Sequence, residues 1–462
     1  MKMKVMAACA AVAAIAVNAS AEDLAMKQNM KIRLITLDPG HFHASLVQKS
    51  MYDQVDPVVH VYAPEGPDVE AHLKRIADFN NRPERPTKWE EQVYRGPDFL
   101  QKMISEKQGN VVVISGNNAK KARYIADAVN AGFNVLADKP MAIRPADFDL
   151  LVTAFDTARK NGVLLYDIMT ERYEITTILQ RELSRVPEVF GELQKGTPEK
   201  PAVTKESVHH FLKTVSGKPL LRPQWFFDVS QQGEGIVDVT SHLVDLVQWE
   251  CFPDQVLDYA RDVRLGSARR WATQLSPEQF KQVTGSDTFP DYLRRDVAAN
   301  GMLNVFANGE INYTLKGVHA KVSVTWNFEA PPGAKDTHYS IMRGTDANLV
   351  IRQGKDEQYK PGLYVENVSK ASADDFEKTL TAAIKKLGAT YAGIGVEKIE
   401  TGWKVTVPDS LRVDHEAHFA QVTEKYLRFL QDGRMPAWEV PNMIAKYYTI
   451  MRAYEISRQL KK

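Results

Sequence analysis

Residues 111–141 leave the chain few folds to choose from. Val111-Val112-Val113-Ile114-Ser115 is a β-branched run, residues 120–131 carry an amphipathic helical pattern closed by Gly132, and a second apolar run ends in Asp138-Lys139-Pro140-Met141. The three pieces read as a strand-helix-strand unit. In an open parallel sheet, ligands gather at the carboxyl ends of the strands. Lys139, fixed by the proline after it, is therefore placed to face a bound molecule; the alternative is a surface lysine in a strand-to-helix loop.

The stretch before this unit repeats the pattern. Residues 31–37 alternate and are β-rich, and Asp38-Pro39-Gly40-His41-Phe42-His43 follows before a helical segment. Strand, tight turn and helix begin a dinucleotide-binding domain. A GxGxxG fingerprint would place glycine where Asp38, Gly40 and His43 stand, so only the middle one is kept. That glycine is the one that lets backbone approach a pyrophosphate, with Phe42 nearby; His41 and His43 beside it either reach a phosphate or substrate or, as paired histidines in a turn more often do, act as polar caps. Residues 57–62 read as the next strand, and Glu65 lies where an acidic residue usually holds a ribose hydroxyl; with no arginine beside it, NAD is favoured over NADP. Ser115 and Asn117, at the end of the 111–115 strand, complete the expected cofactor-binding set with Asp138 and Lys139. Residues 80–95, charged and interrupted by Pro83 and Pro86, read as an irregular surface excursion. A helix over 147–160 and a strand over 162–167 close the series, which implies a parallel sheet covered on both faces.

A second informative stretch is Gly233-Glu234-Gly235-Ile236-Val237-Asp238-Val239-Thr240-Ser241-His242-Leu243-Val244-Asp245. As a helix it would carry Asp238, His242 and Asp245 on one face, and a histidine beside a carboxylate suits a general base. Coupled polar pairs also stabilise ordinary helices, and the glycines and the preceding Arg222-Pro223-Gln224-Trp225 tip the reading towards a site.

The Asp-Lys-Pro triplet and the glycine-led Asp-x-x-x-His-x-x-Asp helix a hundred residues later together resemble the glucose-fructose oxidoreductase, inositol dehydrogenase and MocA family. The likeness covers residues 31–249 and extends more loosely to the C-terminus. It implies an α/β chain: an N-terminal Rossmann-type parallel sheet within residues 22–170, then a C-terminal α+β substrate and oligomerisation domain, residues 171–462, with a large mostly antiparallel sheet. It also implies that Lys139 contacts substrate next to a nicotinamide and that Asp238 and His242 line the reacting carbon. Aspartate for glutamate in the triplet, Thr240 for a family glycine, and Asn117-Asn118 for a common Thr-Pro pair are departures. Arg172, Tyr173, Arg222, Trp225 and Asp245 are the expected substrate contacts. The expected reaction is NAD-dependent oxidation of a hydroxyl of a sugar, glycoside or polyol. An oxidation-elimination glycosidase and a sugar-binding protein without cofactor are the alternatives.

The remaining chain fits this plan. Residues 302–307, 310–315, 320–328, 339–343 and 348–352 alternate as antiparallel strands able to form a subunit interface, and residues 355–407 look like a charged insertion. His415 and His418, near the start of a helix, have no further ligand nearby in sequence and are read as structural, so no metal is expected. With 59 basic against 58 acidic residues, no global field draws the chain to nucleic acid. Lys2 and Lys4, the apolar run from Val5 to Val17 and Ala19-Ser20-Ala21 read as a secretory signal over residues 1–21, too short to span a bilayer. Export, to a periplasm if the source has one, would leave Cys251 as the single thiol and remove the enzyme from soluble NAD. The cofactor is then expected to stay bound and be recycled in place.

Overall fold

Six short strands, β1 (Leu34–Leu37), β2 (Val58–Ala63), β3 (Glu90–Arg95), β4 (Val111–Ile114), β5 (Asn134–Asp138) and β6 (Leu165–Ile168), form one parallel sheet in the computed structural model, which describes residues 31–215 and 218–459. Their order is β3-β2-β1-β4-β5-β6, the doubly wound arrangement. Each residue of β1 and β4 is buried, as expected where helices cover both faces and hydrophobic runs need not alternate. The expected signal segment lies outside the described residues. Among those described, no helix is long and apolar enough to cross a membrane.

The excursion expected over residues 80–95 is corrected in two ways. The helix Pro67–Asn81 runs into it, and its end is β3, paired in register with β2 from Val58↔Glu90 to Ala63↔Arg95. Glu-Glu-Gln-Val-Tyr-Arg carries no hydrophobic alternation because this is an edge strand held by backbone hydrogen bonds, with most of its side chains in solvent.

The second sheet is built from β7 (Val203–His210), β10 (Val263–Leu275), β11 (Leu303–Leu315), β12 (Val318–Asn327), β13 (Thr337–Arg343), β14 (Ala347–Gln353), β15 (Gly362–Asn367), β16 (Gly395–Ile399) and β17 (Gly402–Thr406); β8 (Thr214–Val215) and β9 (Lys218–Pro219) pair separately. The nine-stranded order is β10-β11-β12-β7-β13-β14-β15-β17-β16. Only the β12–β7 pair is parallel. The two segments expected at 302–307 and 310–315 are one strand, and residues 355–407 are less an insertion than one edge of this sheet, with the helix Ala373–Leu387 packed on β16.

The helix Glu439–Gln459 returns across both halves. Tyr447 donates its hydroxyl to Asp167 (2.7 Å) and accepts the backbone N–H of Met141 (2.9 Å), while Lys446 reaches Asp167 (2.7 Å) and Asp245 (3.0 Å). The Asp-Lys-Pro turn is thereby anchored from behind.

Candidate active site

The chain leaves β5 at Asp138, and the next side chain, Lys139, extends across to the second half of the protein. Its ammonium lies 2.6 Å from Oδ1 of Asp238, whose other oxygen accepts a hydrogen bond from Gln232 (3.1 Å). Asp238 is not on the helix that was expected to carry it. The helix begins at Thr240, and Asp238 sits in the turns before it. Glycine explains this geometry: a Cβ on Gly235 would lie 1.8 Å from the Ala307 carbonyl oxygen, and one on Gly309 would lie 2.5 Å from Cβ of Ile236. Turn and β11 thus touch backbone to backbone, and Asp238 is delivered to Lys139.

Burial works against the charged form of Lys139, but the carboxylates of Asp238 and Asp138 outweigh it and hold the ammonium's pKa above its ordinary value. His242, one turn into the helix, has a buried Nδ1 with no hydrogen-bond partner. Burial, and after it the Lys139 charge, pushes its pKa well below the usual histidine value. The imidazole is therefore neutral at pH 7. The carboxylate expected to orient it is engaged elsewhere: Asp245 receives a bidentate pair from Arg172 (2.6 and 2.8 Å) and a third bond from Lys446. Arg172 is bonded on its other side to Glu439 (3.0 Å). Both residues are nearly inaccessible, at 2 % and 6 %, and hold the scaffold together instead of facing a substrate. Tyr173 is likewise corrected, its hydroxyl being buried and unpartnered on the side of Glu424 and Arg428.

At the nucleotide end, Asp38, Gly40, Glu65, Asp68, Asn117 and Lys120 line a cavity of about 150 Å³ at the carboxyl ends of β1, β2 and β4. Asp38 takes the left-handed conformation (φ 45°) that glycine usually supplies, tolerable for aspartate, and its carboxylate is held by Tyr124 (2.7 Å) and Lys120 (3.2 Å). A Cβ on Gly116 would lie 2.2 Å from the Asp38 carbonyl oxygen, so a second glycine, outside the fingerprint, brings the two loops together. Glu65 is exposed at this cleft, and Asp68 opens the next helix beside it. Two carboxylates at the end of β2 and a glycine-lined turn fit a dinucleotide whose ribose hydroxyls need acceptors. Asn117 caps its own helix through Ala119 (3.1 Å) and bonds Gln231 across the cleft (2.7 Å).

His41 and His43 are turned towards Asp138. His43 Nδ1 and the Ser115 hydroxyl each lie 3.0 Å from one oxygen of Asp138, with His41 at 3.7 Å, and the Phe42 ring packs 4.4 Å from that of His43. The network lies beneath the loop and braces it against β5. His41, His43 and Asp138 place donor atoms close enough to one another to hold a metal ion, although His41 Nδ1 already accepts the His43 backbone N–H (3.3 Å).

Several participants were not legible in the sequence. His415 brings Nε2 to 3.4 Å from His43 Nε2 and has Glu171, pushed up to about pKa 7 by burial, at 3.9 Å. The histidine pair at 415 and 418 was visible, its partner 372 residues away was not. Trp225, expected on the sugar, donates its indole N–H to Asp68 (3.2 Å) and lies against Gly40, on the nucleotide side. Arg222 packs over the rings of Phe226 and Trp326, at 4.6 and 5.3 Å.

Comparison with known proteins agrees with this architecture. Residues 40–166 match the family model described as "Oxidoreductase family, NAD-binding Rossmann fold", and residues 179–458 match "Putative oxidoreductase C terminal domain". A crystallised protein from Parabacteroides merdae ATCC 43184, described as a "putative oxidoreductase", is 57 % identical, with a TM-score of 0.91 over 93 % of this chain and 98 % of its own. Two more distant structures share the fold. Levoglucosan dehydrogenase in complex with NADH and levoglucosan has 12 % identity and a TM-score of 0.56 over 93 % and 98 % of the two chains. GenD2 from gentamicin A biosynthesis, in complex with NAD, has 15 % and 0.54 over 93 % and 94 %. None of the curated proteins compared matches the chain.

Proposed function

The chain belongs to the glucose-fructose oxidoreductase, inositol dehydrogenase and MocA family of NAD-binding oxidoreductases, and from that premise we propose that it oxidises a hydroxyl of a sugar, glycoside or polyol using tightly held NAD. The observation that carries the reading is the 2.6 Å contact between Lys139 and Asp238, 99 residues apart, with the unpartnered nitrogen of His242 under the influence of the same ammonium. Lys139, kept charged by its carboxylate neighbours, donates a hydrogen bond to the substrate oxygen and stabilises the negative charge that grows there. His242, neutral and without a competing partner, takes the hydroxyl proton. Asp238 holds the lysine in place and offers its oxygens to adjacent hydroxyls. Bound nicotinamide supplies the hydride acceptor, with Gly40, Glu65, Asp68 and Asn117 as the residues that would hold the dinucleotide.

The acidic end of β2 favours NAD over NADP, because carboxylates repel a 2′-phosphate. We also place the enzyme outside the cytoplasm, on the strength of residues 1–21, where a recycled cofactor is needed. Purified protein is denatured and the supernatant assayed by mass spectrometry. Release of one NAD per chain is expected; protein that carries no dinucleotide and binds none on reconstitution refutes the proposal.

A further inference from the structure

Within electrostatic reach of Asp238, the carboxylate that holds Lys139, stands a cation with no ion-pair partner among the described residues. Arg222 follows the β8–β9 pair and is folded back against Phe226 and Trp326. Its one side-chain hydrogen bond among the described residues is a long one, Nε to the Phe211 carbonyl at 3.5 Å. The two terminal nitrogens, the fork with which arginine grips planar anions, have no acceptor there. Burial pushes the guanidinium pKa down to about 10, although Asp336 and Asp238 pull it upward.

Both of those carboxylates are already matched. Asp238 is held by Lys139 (2.6 Å) and Gln232 (3.1 Å). Asp336 is held by Lys213 (2.5 Å), His210 (3.0 Å) and His209 (3.3 Å). Pairing Lys139 with Asp238 and Lys213 with Asp336 leaves the charge of Arg222 over. A desolvated cation of this kind is unfavourable unless an anion comes to it, and a flat fork with one surplus charge matches a carboxylate better than a phosphate dianion.

The geometry points to an acidic sugar as substrate: a uronate or aldonate whose carboxylate is gripped by Arg222 while its hydroxyl faces Lys139 and His242. The assignment rests on the oxidoreductase reading of the same cleft but is tested separately from it. The neighbouring rings of Phe226 and Trp326 lower the dielectric beside the guanidinium and so strengthen such a pair.

The test is calorimetric binding to the full chain with its cofactor, using glucuronate, galacturonate and mannuronate against their neutral parent sugars, with nicotinamide reduction read at 340 nm in parallel. A charge-assisted bidentate bond should make one uronate bind about ten- to a hundredfold tighter than its parent. Arg222→Gln should erase that preference. Arg222→Lys, which keeps the charge and loses the fork, should retain an intermediate part of it and serves if the Gln variant melts early. A neutral sugar bound as tightly as its uronate overturns the proposal, as does an Arg222→Gln variant that weakens both members of the pair equally. Arg222-dependent uronate binding without nicotinamide reduction upholds the anion site and removes the redox reading for these compounds. Reduction by neutral sugars with no uronate preference does the reverse.

Discussion

Replacing Asp245 with asparagine separates a scaffold role from a substrate role, because the sequence pattern and the structure assign this residue differently. The carboxylate is 2 % exposed and accepts three charged donors, at 2.6 and 2.8 Å from Arg172 and 3.0 Å from Lys446. Removing one member of a buried ion cluster typically costs about 3–5 kcal/mol, since it strands the opposite charge. Here each cation keeps a second carboxylate, Glu439 for Arg172 and Asp167 for Lys446, so the lower end, about 3 kcal/mol, is expected. For a chain of this size, with an unfolding entropy of about 0.9 kcal/mol/K, that corresponds to a fall in melting temperature of roughly 3 °C, read by circular dichroism. Burial opposes ionisation of Asp245, but Arg172 and Lys446 prevail and hold its pKa below the ordinary value. Its stabilisation is therefore fully present above the unfolded pKa of about 3.9 and is lost as pH falls through the folded value. The gap between parent and variant should stay constant from about pH 8 to 5 and close only below about pH 4. Arg172→Met combined with Asp245→Leu should destabilise by less than the sum of the two single changes. An Asp245→Asn protein that melts with the parent yet loses substrate affinity would refute this reasoning and return the residue to the substrate face.

His242→Ala should lower turnover by about 10²–10⁴ with the melting temperature unchanged. Because the folded pKa of His242 lies well below the usual value, wild-type kcat/KM should be level between about pH 8 and 6 and decline only in acid, as the imidazole takes a proton. A decline centred near the ordinary histidine pKa in a pH-rate series would exclude His242 as the base. Gly235→Ala drives a Cβ into the Ala307 carbonyl, so about 1–3 kcal/mol or more should be lost in denaturant melts, along with activity, as Asp238 is pushed off Lys139. Expression in a bacterium with two membranes should yield periplasmic protein beginning at Glu22, checked by fractionation and N-terminal mass; full-length cytoplasmic protein would remove the case for export.

The strands of the parallel sheet were largely readable because buried parallel strands are written as short β-branched runs, with 111–114 and 134–138 as the clear instances. β3 escaped because an edge strand needs no apolar face. β7, at the centre of the larger sheet between β12 and β13, was not anticipated, since its pairing partners lie more than a hundred residues further on. Within the site, Lys139, Asp238 and His242 were flagged by residue type and spacing, and the structure brings Lys139 and Asp238 into contact. Asp245 was flagged by helical spacing and Arg172 by its place after the last strand of the parallel sheet, and the two bind each other, since neither signal gives the identity of what stands opposite.

The order of residues in this chain was sufficient to specify alternating strands and helices, a glycine-led turn and a lysine at a strand end, all of which follow from interactions between near neighbours. Which charges cancel was settled only in three dimensions. The carboxylates of Asp245, Glu439 and Asp167 come from distant segments and are met by Arg172, Lys446 and Lys425, whereas Arg222 is left without a carboxylate partner among the described residues. Electrostatic energy depends on distance and desolvation, and neither is written in the local sequence.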